Sequence, residues 1–257
     1  MIKSKTQKEI ELMREAGRIV AGALKVVKEA ICVGVTTKQL NDLAHNFIIS
    51  QGAFPSSLNY EGFPASICAS VNETVVHGIP SDYALKEGDI VGIDITACYK
   101  GYQGDAARTF CVGKVPDRVK QLVKETRECF YQGIEGLKPG DRIGKISSRV
   151  ERHAKKFGYG VVRELGGHGI GKEMHEDPFI PNYGNENSGE IIPQNCTIAV
   201  EPMINMGTRK VYLLDDNWTI ITRDRMPSAH YENTILITNQ GVEILTLMDG
   251  ETRYDEI

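Results

Sequence analysis

The sequence predicts an α+β protein, one domain made of two similar halves. Three patterns point to it. Helix-like periodicity gives way to strand-like segments, and the same order then returns. Gly34, Leu40 and Gly52 are matched by Gly140, Ile146 and Gly158 at a common offset of 106, so that a glycine turn precedes an amphipathic helix and another glycine ends it in each copy. The strand-like segment around Asp94 has a counterpart around Glu201 at an offset of 107. Tandem duplication of a helix-helix-strand unit explains the match; chance recurrence of helix-ending glycines is the competing explanation. Under duplication the halves, about 1–115 and 116–257, form one pseudo-symmetric domain with a natural place for a ligand between them.

The elements follow in order. Thr6-Gln7-Lys8-Glu9 has the form of a capping box, in which the Thr hydroxyl and the Glu carboxylate satisfy each other's backbone amides. Ile10, Met13, Gly17, Val20, Leu24, Val27 and Ile31 then recur in steps of three and four along one helical face. A second helix is expected from about Thr37 to Ser50, with Leu40, Leu43, Ala44, Phe47 and Ile48 inward. Residues 67–71, 90–99 and 103–112 have strand character, and Lys100-Gly101 marks a turn between the last two. Helical patterns return at about 117–135 and 144–157, separated by Pro139-Gly140. Strands are expected at 161–165, 197–204, 210–214, 219–222, 233–237 and 242–247.

Composition excludes several functions. The 257 residues carry 30 basic and 34 acidic side chains, a formal charge of −4, with 41% apolar residues. That is too apolar for disorder and gives no electrostatic reason to expect nucleic-acid binding. No apolar run is long enough to span a membrane. Six cysteines without a CxxC pair are expected to be buried, reduced thiols. Glu9, Glu11 and Glu15 interrupt any apolar core of a signal peptide. A cytoplasmic protein fits both facts.

The chemistry is concentrated in carboxylates and histidines on apolar segments. Gly92-Ile93-Asp94-Ile95-Thr96 places an acid inside a very apolar strand, where it is costly without a partner. Asp105 follows in the returning strand, and a turn near residue 100 brings the two to roughly opposed positions. Such a pair can share a proton or a cation; alternatively, one acid pairs with Arg108 on a solvated edge. His168, flanked by glycines in Gly166-Gly167-His168-Gly169-Ile170-Gly171, lies where the backbone can approach a ligand closely. The spacing is not that of a dinucleotide loop. His175 and His77 lie in neighbouring turns, and Glu201 and Glu232 are two further acids on or beside apolar strands. Four unpaired buried carboxylates would cost several kcal/mol each. Two divalent cations balance four carboxylates, and oxygen ligands with one imidazole suit Mn²⁺, Fe²⁺, Co²⁺ or Zn²⁺. Such a pair serves hydrolysis.

The segments NETVVHGIP, GDIVGIDITACYKGYQGDAARTF, GGHGIGKEMHEDPFIPNYG, TIAVEPMI and YENTILIT together resemble the type I methionine aminopeptidases of the bacterial kind, in family order and spacing across essentially the whole chain. The resemblance implies the pita-bread (creatinase/aminopeptidase) fold, an antiparallel sheet covered by helices. It implies Asp94, Asp105, His168, Glu201 and Glu232 as metal ligands, with Asp105 and Glu232 shared between two ions. It implies Glu201 as general base, His175 as donor to the developing oxyanion, and His77 in contact with the peptide near the scissile nitrogen. Thr96 would support the metal site. The methionine pocket would be Tyr60, Phe63, Cys68, Met174 and Trp218. Ser57, Phe63 and Met174 depart from some relatives, which bears on pocket shape and not on the reaction. Cys68 as an ordinary core thiol, and Trp218 as a half-exposed packing residue, are the competing readings.

The implied activity is removal of initiator methionine from peptides and nascent chains before a small second residue. It would be performed by a monomer, transiently at the ribosome, without membrane or nucleic-acid partners. No extension able to dock on the ribosome is expected, and the 31 residues between Glu201 and Glu232 leave no room for the type II insertion. Three readings compete: an X-Pro peptidase of the same fold, a catalytically dead binding module, and a Cys-His protease through Cys68. The first would need binding elements not seen here, and the second is opposed by five intact ligand positions. His45 and His153 are expected to be surface or packing residues. His230, two residues before Glu232, is placed on the same strand face.

Overall fold

The capping box at Thr6 forms as expected, and its Glu9 carboxylate accepts from the Thr6 amide at 2.8 Å. The computed structural model describes residues 2–255, and α1 (Gln7–Ala30) is its first element. α2 (Thr37–Ser50) starts on a second capping box, Thr36 with Gln39. Its buried face is Thr37, Leu40, Ala44 and Ile48, whereas Leu43 is 39% exposed, against expectation. At about 100° per residue the buried face centres near Ala44, and Leu43 falls roughly 100° from that centre.

Five strands complete the first half: β1 (Phe54–Pro55), β2 (Ile67–Val71), β3 (Thr74–Val76), β4 (Ile90–Tyr99) and β5 (Tyr102–Cys111). β4 and β5 are the long hairpin the sequence predicts. Lys100 and Gly101 both have positive φ, 47° and 82°, as a two-residue turn that matches strand twist requires. β5 pairs with one edge of β4, and β1 and β2 with the other.

The second half contains α3 (Asp117–Ile134), α4 (Ile143–Lys155), β6 (Gly160–Val161), β7 (Gly166–Gly169), β8 (Glu176–Pro181), β9 (Cys196–Val200), β10 (Met203–Asn205), β11 (Val211–Leu213), β12 (Ile220–Thr222), β13 (Ser228–His230), β14 (Asn233–Thr238) and β15 (Gly241–Ile244). Its main sheet runs β15-β14-β9-β7-β8. Two small sheets, β13-β10-β6 and β11-β12-β3, close the sides. The strand expected over 197–204 is split at Glu201-Pro202, because proline offers no amide to a ladder. β7, Gly-Gly-His-Gly, has no apolar alternation to betray it. The glycines at the 106-residue offset share conformations: φ is 94° at Gly34 and 92° at Gly140, 71° at Gly52 and 73° at Gly158.

α1 and α2 cover the β4–β5 sheet around a core that includes Leu24, Leu40, Ile48, Ile93 and Ile95. α3 and α4 pack on the second half around Phe130, Ile146, Ile198, Val200 and Ile235. The two halves meet where β5 runs beside the start of β14. The Glu232 amide donates to the Ala107 carbonyl at 2.9 Å, and the Asp105 amide donates to Thr234 Oγ1 at 3.0 Å. Among the described residues no helix is long and apolar enough to cross a membrane.

Candidate metal centre

The two-residue turn fixes which acids can meet. It pairs Tyr99 with Tyr102, so Thr96, not Asp94, stands opposite Asp105, and Asp94 stands opposite Ala107. The two aspartates are therefore diagonal rather than opposed. They still share a face, because strand residues two apart point the same way, and Thr96 lies between them. In the other half, His168 on β7 stands across from Ala199 on β9, and Val200 across from Asn233 on β14. Glu201 and Glu232 follow and precede that last pair, so their side chains come from adjacent chain ends. The contact of β5 with β14 then joins the two groups.

Asp105, His168 and Glu232 offer ligand atoms that lie within 4.8 Å of one another, and all three residues are buried. His168 Nε2 is 3.7 Å from both Asp105 Oδ2 and Glu201 Oε1. Its Nδ1 lies 2.8 Å from the Gly169 carbonyl. A carbonyl can only accept, so Nδ1 carries the proton and Nε2 presents a lone pair to the acids. The glycines around it also have a packing role. A Cβ on Gly167 would lie 2.2 Å from the Ala199 carbonyl oxygen, and one on Gly169 would lie 2.1 Å from that of Asp177. They let β9 and β8 close on either side of the histidine.

Burial raises all four carboxyls. Asp94 is pushed up to about 7 by desolvation. Asp105, Glu201 and Glu232 are raised well above their ordinary values, first by desolvation and then by one another's charge. Desolvation lowers His168 and His77 to about 4, so both imidazoles are neutral near pH 7. Among the described residues the only basic side chains within 4 Å of these acids are His168 and His230, and burial lowers both, so neither supplies a countercharge near pH 7. Asp105 Oδ1 and Glu232 Oε1 are buried without a hydrogen-bond partner. Acids crowded together, with orphaned oxygens and a neutral imidazole aimed at them, fit a divalent cation and are poorly explained without one.

Around this centre a cavity of about 410 Å³ is lined by Tyr60, Phe63, Cys68, His77, Met174, His175 and Trp218 together with Asp94, Asp105, His168, Glu201 and Glu232. Every predicted site residue thus reaches one cavity. Phe63 meets Trp218 edge-on at 5.1 Å, and His77 meets the same ring at 6.3 Å. Tyr60 Oη is 2.8 Å from His175 Nδ1. His77 sits in the left-handed region at φ 57°, strain of the kind that clusters at functional sites. Ser57 and Thr96, also in the cavity wall, share a hydrogen bond of 2.8 Å.

His230 ends β13 rather than sharing a strand with Glu232. It nevertheless reaches the centre, its Nε2 lying 3.7 Å from Glu201 Oε2 and 3.9 Å from Glu232 Oε2. Glu61, a cavity-lining residue at φ 48°, carried no sequence signal. His45 and His153 lie outside the cavity. His45 contacts Ser66 at 2.8 Å, and His153 is buried against Glu125 at 2.7 Å, a partner on α3 that its own helix could not disclose. All six cysteines are free thiols, but Cys32 is exposed, contrary to the expectation of uniform burial.

Comparison with known proteins gives the family. The model of metallopeptidase family M24 matches residues 11–239. A methionine aminopeptidase of Clostridium acetobutylicum is 48% identical over 250 residues, 97% of this chain and 100% of that protein. The crystal structure of methionine aminopeptidase from Rickettsia prowazekii superposes with a TM-score of 0.94 at 45% identity, over 96% of this chain and 100% of that one. Prolidase from Pyrococcus furiosus shares the fold at a TM-score of 0.76 and 25% identity, and this chain covers only 65% of it. The fold is thus the pita-bread fold common to these enzymes. Matched along nearly its whole length by relatives of one kind, the chain belongs to metallopeptidase family M24 and, within it, to the type I methionine aminopeptidases.

Proposed function

We propose that Asp94, Asp105, His168, Glu201 and Glu232 hold two divalent cations, and that this centre releases N-terminal methionine from peptides and newly made proteins with a small second residue. The observation that carries the reading is the meeting of Asp105, His168 and Glu232 within 4.8 Å, in one cavity with two further histidines and an apolar pocket. When bound, the ions supply Lewis acidity and lower the pKa of water. Mn²⁺, Co²⁺, Fe²⁺ and Zn²⁺ all suit the donor set.

The chain's own residues do the rest. Burial and neighbouring acids lift Glu201 toward the range in which a carboxylate can take a proton from water and return it to the leaving amine. Desolvation lowers His175. Tyr60 Oη lies 2.8 Å from its Nδ1, and in the tautomer where the phenol donates there, Nε2 carries the proton and donates to the carbonyl oxygen as negative charge develops. His77, neutral and beside the Trp218 ring, contacts the peptide near the scissile nitrogen in this reading, which its position in the same cavity supports. Tyr60, Phe63, Cys68, Met174 and Trp218 receive the methionine side chain, whose thioether packs well on aromatic edges. Burial pushes the Cys68 thiol well up, which disfavours a cysteine nucleophile. A monomer acting in the cytoplasm, transiently at the ribosome, completes the proposal, since that is where initiator methionine is exposed.

The test is release of free methionine from Met-Ala-Ser by protein stripped with chelator and reloaded with Mn²⁺ or Co²⁺. Release should return with metal, fall when leucine replaces alanine, and be absent for X-Pro peptides. Reloaded protein that leaves Met-Ala-Ser intact would refute the proposal.

A further inference from the structure

Arg108 lies three residues after Asp105, and alternation turns it to the opposite face of β5. It is 3% exposed. From there it grips the segment that carries Glu232 on three sides. Its Nη1 donates to the Glu232 carbonyl at 2.5 Å and to the Ala107 carbonyl at 3.0 Å. Its Nη2 donates to Asn233 Oδ1 at 2.8 Å. Its guanidinium lies over the Tyr231 ring, 4.2 Å from the centroid.

The countercharge comes from far along the chain. Glu251 takes Arg108 Nε at 2.6 Å and Nη2 at 2.9 Å, as a two-pronged pair. The same carboxylate accepts from the Tyr231 hydroxyl at 3.0 Å and from the Met248 amide at 3.1 Å. The Thr246 carbonyl takes a further, longer bond from Nη2 at 3.4 Å. The 246–251 segment therefore closes over Arg108, and Arg108 closes over Glu232. The surrounding tail has a separate anchor that does not touch Arg108: Arg253 pairs with Glu128 on α3.

We propose that Glu251 and Arg108 are positioning residues for the metal centre, the C-terminal segment fixing through them the backbone from which Glu232 reaches the ions. Without Glu251 the buried guanidinium keeps its charge but loses the carboxylate that neutralises and orients it. Its bonds to the Glu232 carbonyl and to Asn233 would then no longer be held in place, and the backbone presenting Glu232 to the cation would loosen. The proposal rests on the metal reading above, and partners behind a ligand are known to alter affinity about 10–100-fold.

The experiment is calorimetric titration of Mn²⁺ into the metal-free full chain, with melting temperature recorded for each variant. Glu251→Gln should raise the Mn²⁺ dissociation constant about tenfold or more, and Arg108→Lys, which keeps the charge but cannot span the three contacts, should do the same. Glu128→Gln loosens the tail at the other anchor, and should lower the melting temperature while changing the dissociation constant less than about twofold. If Glu251→Gln does not fold, Arg108→Lys decides. Wild-type affinity in either folded variant would overturn the proposal, as would an equal loss in Glu128→Gln. A wild-type protein that binds no Mn²⁺ would overturn the metal reading itself, and is told apart from these outcomes by the wild-type titration alone.

Discussion

Replacing Asp105 by asparagine should stabilise the metal-free protein while abolishing tight metal binding. Asp105 and Glu232 place carboxylate oxygens within 4.8 Å of each other, and one oxygen of each has no partner. Two unit charges at that separation repel by about 3.5 kcal/mol at an effective dielectric of about 20. An asparagine amide removes one charge and supplies a donor for the orphaned Glu232 Oε1. Protonation already relieves part of the strain in the wild type, so a gain of about 2–3 kcal/mol is expected at pH 7.5. For a chain of this size that corresponds to a rise in melting temperature of about 4–10 °C. The sign with pH is fixed by the raised carboxyl. Its contribution to stability is fully present below its unfolded pKa near 4, and is lost as pH rises through the folded value. The advantage of Asp105→Asn should therefore shrink toward zero as pH falls to about 4. Excess Mn²⁺ should reverse the order at pH 7.5, since only the wild type gains binding free energy. Calorimetry of both proteins with chelator and with Mn²⁺ reads all of this. A metal-free Asp105→Asn protein no more stable than wild type at pH 7.5 would refute the argument that the acids are held together against their own charge.

Other outcomes follow from single features. Mn²⁺ affinity should fall steadily between pH 8 and 6, because protons compete for Asp94, whose folded value is about 7; pH-series titration calorimetry checks this. Tyr60→Phe removes the partner 2.8 Å from His175 Nδ1 and should lower kcat about fivefold with little change in KM or melting temperature, as a hydrogen bond worth about 1 kcal/mol implies; steady-state kinetics on Met-Ala-Ser decides. Gly167→Ala would set a methyl 2.2 Å from a backbone oxygen of β9, so a loss of about 3 kcal/mol or more and a collapse of metal binding with it are expected from denaturant unfolding and titration.

Much of the site could be read from the residue string because burying an acid is costly. Asp94 stands in a very apolar strand and Glu201 and Glu232 on or beside apolar strands, whereas Asp105, followed by Arg108, left a solvated edge open until the four acids were taken together. Such residues need a partner wherever the chain goes, so their chemistry is legible before their positions are. The helices were legible for a related reason: α1 and α2 each bury one stripe, and their caps are local. Several short strands were not, although β11 and β12 fall within segments expected to be strands. β7 is glycine, glycine, histidine and glycine, with nothing for a period of two to act on, and its glycines at 167 and 169 let β9 and β8 approach where a Cβ would clash.

Residue types and local periodicity determined by themselves that this chain folds as α+β, with buried acids demanding cations. Only the tertiary structure decided how those acids are arranged. The turn at Lys100-Gly101 made Asp94 and Asp105 diagonal, the β5–β14 contact brought Glu232 to Asp105, and His230 arrived from the end of a separate strand. Arg108 shows the division most sharply: its charge was visible at once as a possible mate for an aspartate, yet its partner is Glu251, 143 residues away. Desolvation is a property of a residue and its near neighbours, and leaves its mark in the sequence. The distances between the two groups of acids are set by contacts between segments far apart in the chain, and exist only once the chain has folded.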